Sequence, residues 1–231
     1  MKYTYGESDA NTIEKYGNAT ITLNRPLVAG KWNTLCLPFD MDAAMIKDVF
    51  GDIQVAGLDE NTTETGLLSF KKTTAIKAAT PYLVKPTEGK DTYVFENVEV
   101  TETSPYYSVN GSQIAFVGVY NPTDITTDVK QLDTNDGDYY AAFLGSDGKL
   151  YKVEEGSTDK MKGFRAYFAI PSDLKVANVS VGGVVTSIKS IEGADADGAD
   201  APVYNLQGQR VDGKQLQRGI YVRNGRKFIV K

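Results

Sequence analysis

Along most of this chain apolar and polar residues alternate with a period of two, the pattern of strands buried on one face. In Ala19–Asn24, Ile21 and Leu23 fall on one side and Thr20 and Thr22 on the other. Phe164, Ala166, Phe168 and Ile170 alternate in the same way with Arg165 and Tyr167, which predicts a strand with one face in the core and the other in water. Further extended segments are expected at 53–58, 67–73, 81–84, 92–101, 113–120, 139–144 and 150–153. Gly, Asn, Asp and Pro separate them, and Asp147-Gly148 between Phe143 and Leu150 predicts a hairpin. One stretch changes period. Met41, Met45, Ile46, Val49 and Phe50 recur at helical spacing before Gly51, so a short helix is expected near residues 41–50, capped by Asp40.

The segment Gly30–Asp40 holds the only Trp and the only Cys of the chain. Trp32, Thr34, Cys36 and Pro38 fall on one face and Asn33, Leu35, Leu37 and Phe39 on the other. Both faces are largely apolar, which predicts a central strand covered on both sides. Pro26 and Gly30 mark a turn that would pair this strand with Ala19–Leu23.

Residues 1–18 show no periodicity and read as a flexible lead or a weak edge strand; 19–181 read as a β-sandwich-like domain. Glu192–Ala201 lacks any large apolar side chain, so 182–201 is expected to be a linker. The tail, 202–231, carries two hairpin patterns with turns at Gln207-Gly208 and Asn224-Gly225, a unit too small to fold without docking on something else.

Composition agrees with an all-β class: 231 residues with 14 Tyr and 22 Gly, 41% hydrophobic and 24% charged. The formal charge of -5, with no basic stripe interleaved with aromatics, argues against nucleic acid as a partner. No run approaches the length of a transmembrane helix. Met1–Lys15 lacks the apolar core of a signal peptide, so the chain is expected to be either cytosolic or a mature fragment.

The chain has no His. That removes Ser-His-Asp and Cys-His nucleophile systems and most zinc sites, and leaves Cys36 as a small buried hydrophobe. Acid pairs near in sequence, Asp40 with Asp42 and Glu154 with Glu155, are weak candidates for glycoside hydrolysis because neighbours on a strand diverge. Asp133–Asp138 and Asp195–Asp197 resemble calcium loops but lack the closing Glu, so they read as turn and linker. No phosphate loop is present, and no catalytic, cofactor or metal residue is assigned. The tyrosine doublets Tyr106-Tyr107 and Tyr139-Tyr140 can each send one ring inward and one outward. Tyr107 and Tyr140 are therefore the candidate ligand platform, for a surface glycan or another protein, beside the plainer reading of Tyr as a strand former.

Four segments, Lys31–Asp40, Thr80–Pro86, Phe116–Tyr120 and Gly163–Phe168, together resemble a β-rich module of large exported proteins of Bacteroidetes-type gut bacteria. The ending, Val203–Val211 with Gly219–Val222 and Lys227–Lys231, is similar to a shortened type IX secretion sorting domain. These resemblances imply a secreted or outer-surface location and an adhesin-like or architectural, non-catalytic role. They imply no catalytic residue.

Overall fold

The computed structural model describes residues 1–64, 66–105, 107–111, 113–132, 138–154, 156–157, 160–174, 178–182, 184–186, 203–205, 210–211, 219–223 and 226–230. At 107–108, at 178 and from 184 onward it describes the backbone alone. The chain divides into a unit Met1–Glu192 and a unit Gly193–Lys231; the expectation of a linker over 182–201 is corrected at its start, where Val184–Thr186 form a strand paired with Val179–Val181 in a sheet of the first unit.

In chain order the first unit runs β1 (Lys2–Gly6), β2 (Tyr16–Asn24), β3 (Asn33–Cys36), α1 (Ala43–Phe50), β4 (Ile53–Leu58), β5 (Leu67–Thr73), β6 (Pro81–Pro86) and β7 (Thr92–Val100). It continues with β8 (Tyr107–Val109), β9 (Ala115–Val119), α2 (Ile125–Asp128), a 3-10 turn Val129–Gln131, β10 (Tyr139–Leu144), β11 (Leu150–Lys152), β12 (Arg165–Pro171), β13 (Asn178–Val181) and β14 (Val184–Thr186). The fold is mostly β and sandwich-like, as the alternation predicts. Three sheets form it, in the orders β1-β2-β7, β11-β10-β12-β9-β8 and β14-β13-β5-β4-β6-β3.

Alternation along single strands assigns the layers. In β12, Ala166, Phe168 and Ile170 enter one cluster while Tyr167 and Ala169 enter another. In β6, Leu83 joins that first cluster, whereas Tyr82 and Val84 point the opposite way. The five- and six-stranded sheets thus face each other across Phe70, Phe116 and Phe168, the last two stacked at 4.7 Å between centroids and the first meeting both edge-on. Such ring pairs add about 0.5–1.5 kcal/mol each beyond their burial. On the far side of the six-stranded sheet lie the three-stranded sheet and α1, with Phe39, Phe50, Tyr93 and Phe95 in contact. On the far side of the five-stranded sheet lies α2 with the 3-10 turn, through Ile125 and Val129.

Several expectations are corrected. On the face of β12 opposite the sandwich core Tyr167 and Ala169 are dry, because α2 covers them and the Tyr167 hydroxyl donates to Asp128 Oδ2 at 2.8 Å, whereas Arg165 at the start of the strand stays partly exposed. The periodicity of the short segment 125–128 is too brief to announce this helix. The N-cap of α1 is Asp42, whose Oδ1 accepts from Met45 N at 2.9 Å; Asp40 instead accepts from Lys77 Nζ and Ala78 N, both at 2.8 Å. Of the two readings of the first residues the edge strand holds and the flexible lead does not: residues 2–6 form β1, at the edge of its sheet and parallel to β2, with Tyr5 buried. β2 pairs with β1 and β7, not with the Trp32 segment.

β3 is covered on both faces yet lies at the edge of its sheet, beside β6 only. Its outer flank is closed by other means. The Cys36 amide donates to the Phe164 carbonyl at 3.2 Å, Thr34 Oγ1 accepts from Ala166 N at 3.0 Å, and the Thr34 carbonyl accepts from Arg25 Nη2. Burial on two faces identifies a covered strand, not a central one.

In the second unit β15 (Val203–Asn205), β16 (Arg210–Val211), β17 (Gly219–Arg223) and β18 (Arg226–Val230) form a four-stranded antiparallel sheet in the order β16-β15-β17-β18. The two hairpins are those read from sequence; their turn residues lie outside the described residues.

Candidate functional site

Tyr140 stands on β10 opposite Ile170, and Tyr139 stands opposite Pro171. The strand sends the two rings to opposite faces, Tyr140 partly buried against the sandwich core and Tyr139 against the α2 cluster. On the other flank of β10 the partner strand β11 is short. Its pairing ends at Lys152 opposite Ala142, followed by Val153 N donating to Ala141 O at 2.9 Å. Beyond that bond no described strand flanks this side of Tyr139 and Tyr140, and a cleft of about 630 Å³ opens there.

Three elements build its walls. The α2 turn is fixed by Asp124, whose Oδ1 accepts from Thr126 N at 3.0 Å and from the Thr126 hydroxyl at 2.7 Å. Hydrogen bonds from the Thr126 and Thr127 side chains hold the Asp124 carboxyl down to about 2. With Val129 anchored in the core, Lys130 and Leu132 line the cleft. The β10–β11 hairpin supplies Lys152, whose Nζ lies 4.8 Å from the centre of the Tyr140 ring, a cation–π distance. Asp138 and Ser172, joined through a backbone bond of 2.8 Å, complete it.

Burial pushes the Tyr140 phenol up to about 12, so at neutral pH it is an uncharged donor and acceptor. The cleft is lined by the two tyrosines, which approach it from opposite faces of the sheet, by the Thr126 and Ser172 hydroxyls, by Lys130 and Lys152, and by Asp138. This is equipment for holding a ligand by stacking and hydrogen bonds.

Tyr107 lies on β8 opposite Val117, with its side chain outside the described residues. Between β10 and β8 stand β12 and β9, three strand steps or about 14 Å, so the two tyrosines do not form one platform. The acid pairs do separate work: Asp40 is held below the usual carboxylate range, first by its Lys77 hydrogen bond, and Asp42 caps α1. Glu155, Tyr106, residues 133–137 and Asp195–Asp197 lie outside the described residues. Among the described residues no three Cys, Asp or Glu side chains gather as metal ligands, and no helix is long and apolar enough to cross a membrane. Cys36 is fully buried against Gly118, and desolvation drives its thiol pKa far up.

Lys152 was legible in principle. A hairpin turning at Asp147-Gly148 places Lys152 opposite Ala142, hence diagonal to Tyr140 on the same face. Lys130 and Ser172 carried no local signal, since only tertiary packing brings them to the cleft.

No family model, curated protein or solved structure matches the chain.

Proposed function

We propose that the chain is a non-catalytic, adhesin-like or architectural module of a larger exported surface protein, and that its contact with a partner is the Tyr140 cleft. The observation that carries the reading is the Tyr140 ring at the wall of a 630 Å³ cleft with the Lys152 ammonium 4.8 Å away. A ring of this kind takes the apolar face of a sugar, while Ser172 and Lys152 hydrogen-bond its hydroxyls, so a surface glycan is the favoured partner. A protein partner is the alternative, supported by the half-exposed strand flank beside Tyr139. The outer-surface location rests on the resemblance of the Lys31–Asp40 region and of the tail to exported modules.

A glycan array tests the binding half. Wild-type protein is expected to score hits that vanish in Tyr140→Ala and persist in Asp40→Asn, with both variants retaining wild-type circular dichroism. An array without hits assigns the cleft to a protein partner, and hits that survive Tyr140→Ala move the site elsewhere. Cell fractionation tests the location: recovery in the cytosol would overturn the surface reading.

A further inference from the structure

At the opposite end of β10 a second cleft, of about 330 Å³, has a different chemistry. Phe143, Leu144 and Met161 give it apolar walls, and Lys160, Lys162 and Arg165 line it with cations. None of its described lining residues is an acid. Among the described residues the carboxylate bonded to these cations is Glu7, which accepts from Lys162 Nζ at 2.7 Å and Arg165 Nη2 at 2.6 Å. Behind Arg165 sits Arg25, completely buried, whose charge acts on Arg165 as like on like. Arg165 Nε and Arg25 Nε and Nη1 are all buried without an acceptor. In a protein of net charge -5, this corner gathers four cations, Arg25, Lys160, Lys162 and Arg165, around one described carboxylate and beside an apolar wall.

Lys160 and Arg165 bring positive charge to the cleft wall, and a charge-assisted hydrogen bond from an ammonium or guanidinium group suits a carboxylate head. The volume stands at the low end for ligand clefts, which limits the occupant to a small molecule. We propose that this cleft binds a small amphiphilic carboxylate, its head at Lys160 and Arg165 and its apolar body against Phe143 and Met161. The site is separate from the tyrosine cleft and does not depend on that reading.

Calorimetric titration of the full chain with octanoate tests it, with octanol and inorganic phosphate as the apolar-only and anion-only probes. Octanoate is expected to bind at least about tenfold more tightly than either. Lys160→Glu and Phe143→Ala, both at exposed positions, are each expected to weaken octanoate about fivefold or more while Tyr140→Ala leaves it unchanged. Equal binding of octanol, equal binding of phosphate, or no binding of octanoate would overturn the proposal. So would octanoate affinity unmoved by Lys160→Glu, or lost in Tyr140→Ala.

Discussion

Glu7 and Arg165 stand 158 positions apart in the chain, yet the Glu7 carboxylate accepts a hydrogen bond from the Arg165 guanidinium at 2.6 Å. Lys162 donates to the same group, and the Gly163 amide donates to the Glu7 carbonyl at 2.7 Å. The end of β1 is thereby tied to the start of β12.

Glu7 makes this tie pH-dependent. Burial works to raise its pKa, but the Lys162 hydrogen bond and the Arg165 charge outweigh burial and hold it below the usual range. A folded value below the unfolded one, about 4.3, stabilises the protein fully above that pH and is lost as pH falls through the depressed value. Glu7→Gln is expected to cost about 2–4 kcal/mol at pH 7, because it leaves Arg25 and Arg165 uncompensated. In urea titrations the deficit should shrink at pH 3; a deficit equal at both pH values would place its origin in packing instead of charge.

Gly118 is set by the sulfur it faces. A Cβ there would lie 2.5 Å from Cys36 Sγ and 3.2 Å from Pro105 Cβ. Gly118→Ala should cost about 1–3 kcal/mol by overpacking. Adding Cys36→Ala removes the sulfur and should recover roughly half of that loss, a coupling read from a double-mutant cycle. Strict additivity would show that the sulfur is not the obstacle.

The Cys36 thiol should be silent in the native state. Desolvation drives its pKa up despite the opposing charge of Arg25, so almost no thiolate exists at pH 8. Labelling by a disulfide reagent is expected only as fast as the protein unfolds, with the rate rising in urea. Rapid labelling without denaturant would contradict the buried placement.

Trp32 is half-buried against the sandwich core, with Lys85 Nζ 5.9 Å from the centre of its ring. Trp32→Ala should therefore cost about 2 kcal/mol, less than the 3–5 typical of a fully enclosed Trp. Chemical denaturation followed by far-ultraviolet circular dichroism measures this without relying on the deleted fluorophore.

Local features were legible and long-range partners were not. The hairpin at Asp147-Gly148, the helix over Ala43–Phe50 and the alternation in Phe164–Ile170 follow from neighbours in sequence, where turn chemistry and periodicity act. The edge position of β3 depends on β6, β12 and Arg25, none of which leaves a mark within the Trp32 segment. Nothing beside Arg25 in the sequence marks it as the fully buried cation it becomes. Half of the candidate site was visible for the same reason: Tyr140 announced itself as part of a doublet, whereas Lys130 and Ser172 arrive from other elements.

Sheet edges are where chains recruit one another, since their open amides and carbonyls template an incoming strand. At β3 that template is already spent: Phe164 takes the Cys36 amide and Arg25 takes the Thr34 carbonyl. A second copy of the chain brought alongside this edge meets a closed flank and does not zip onto it.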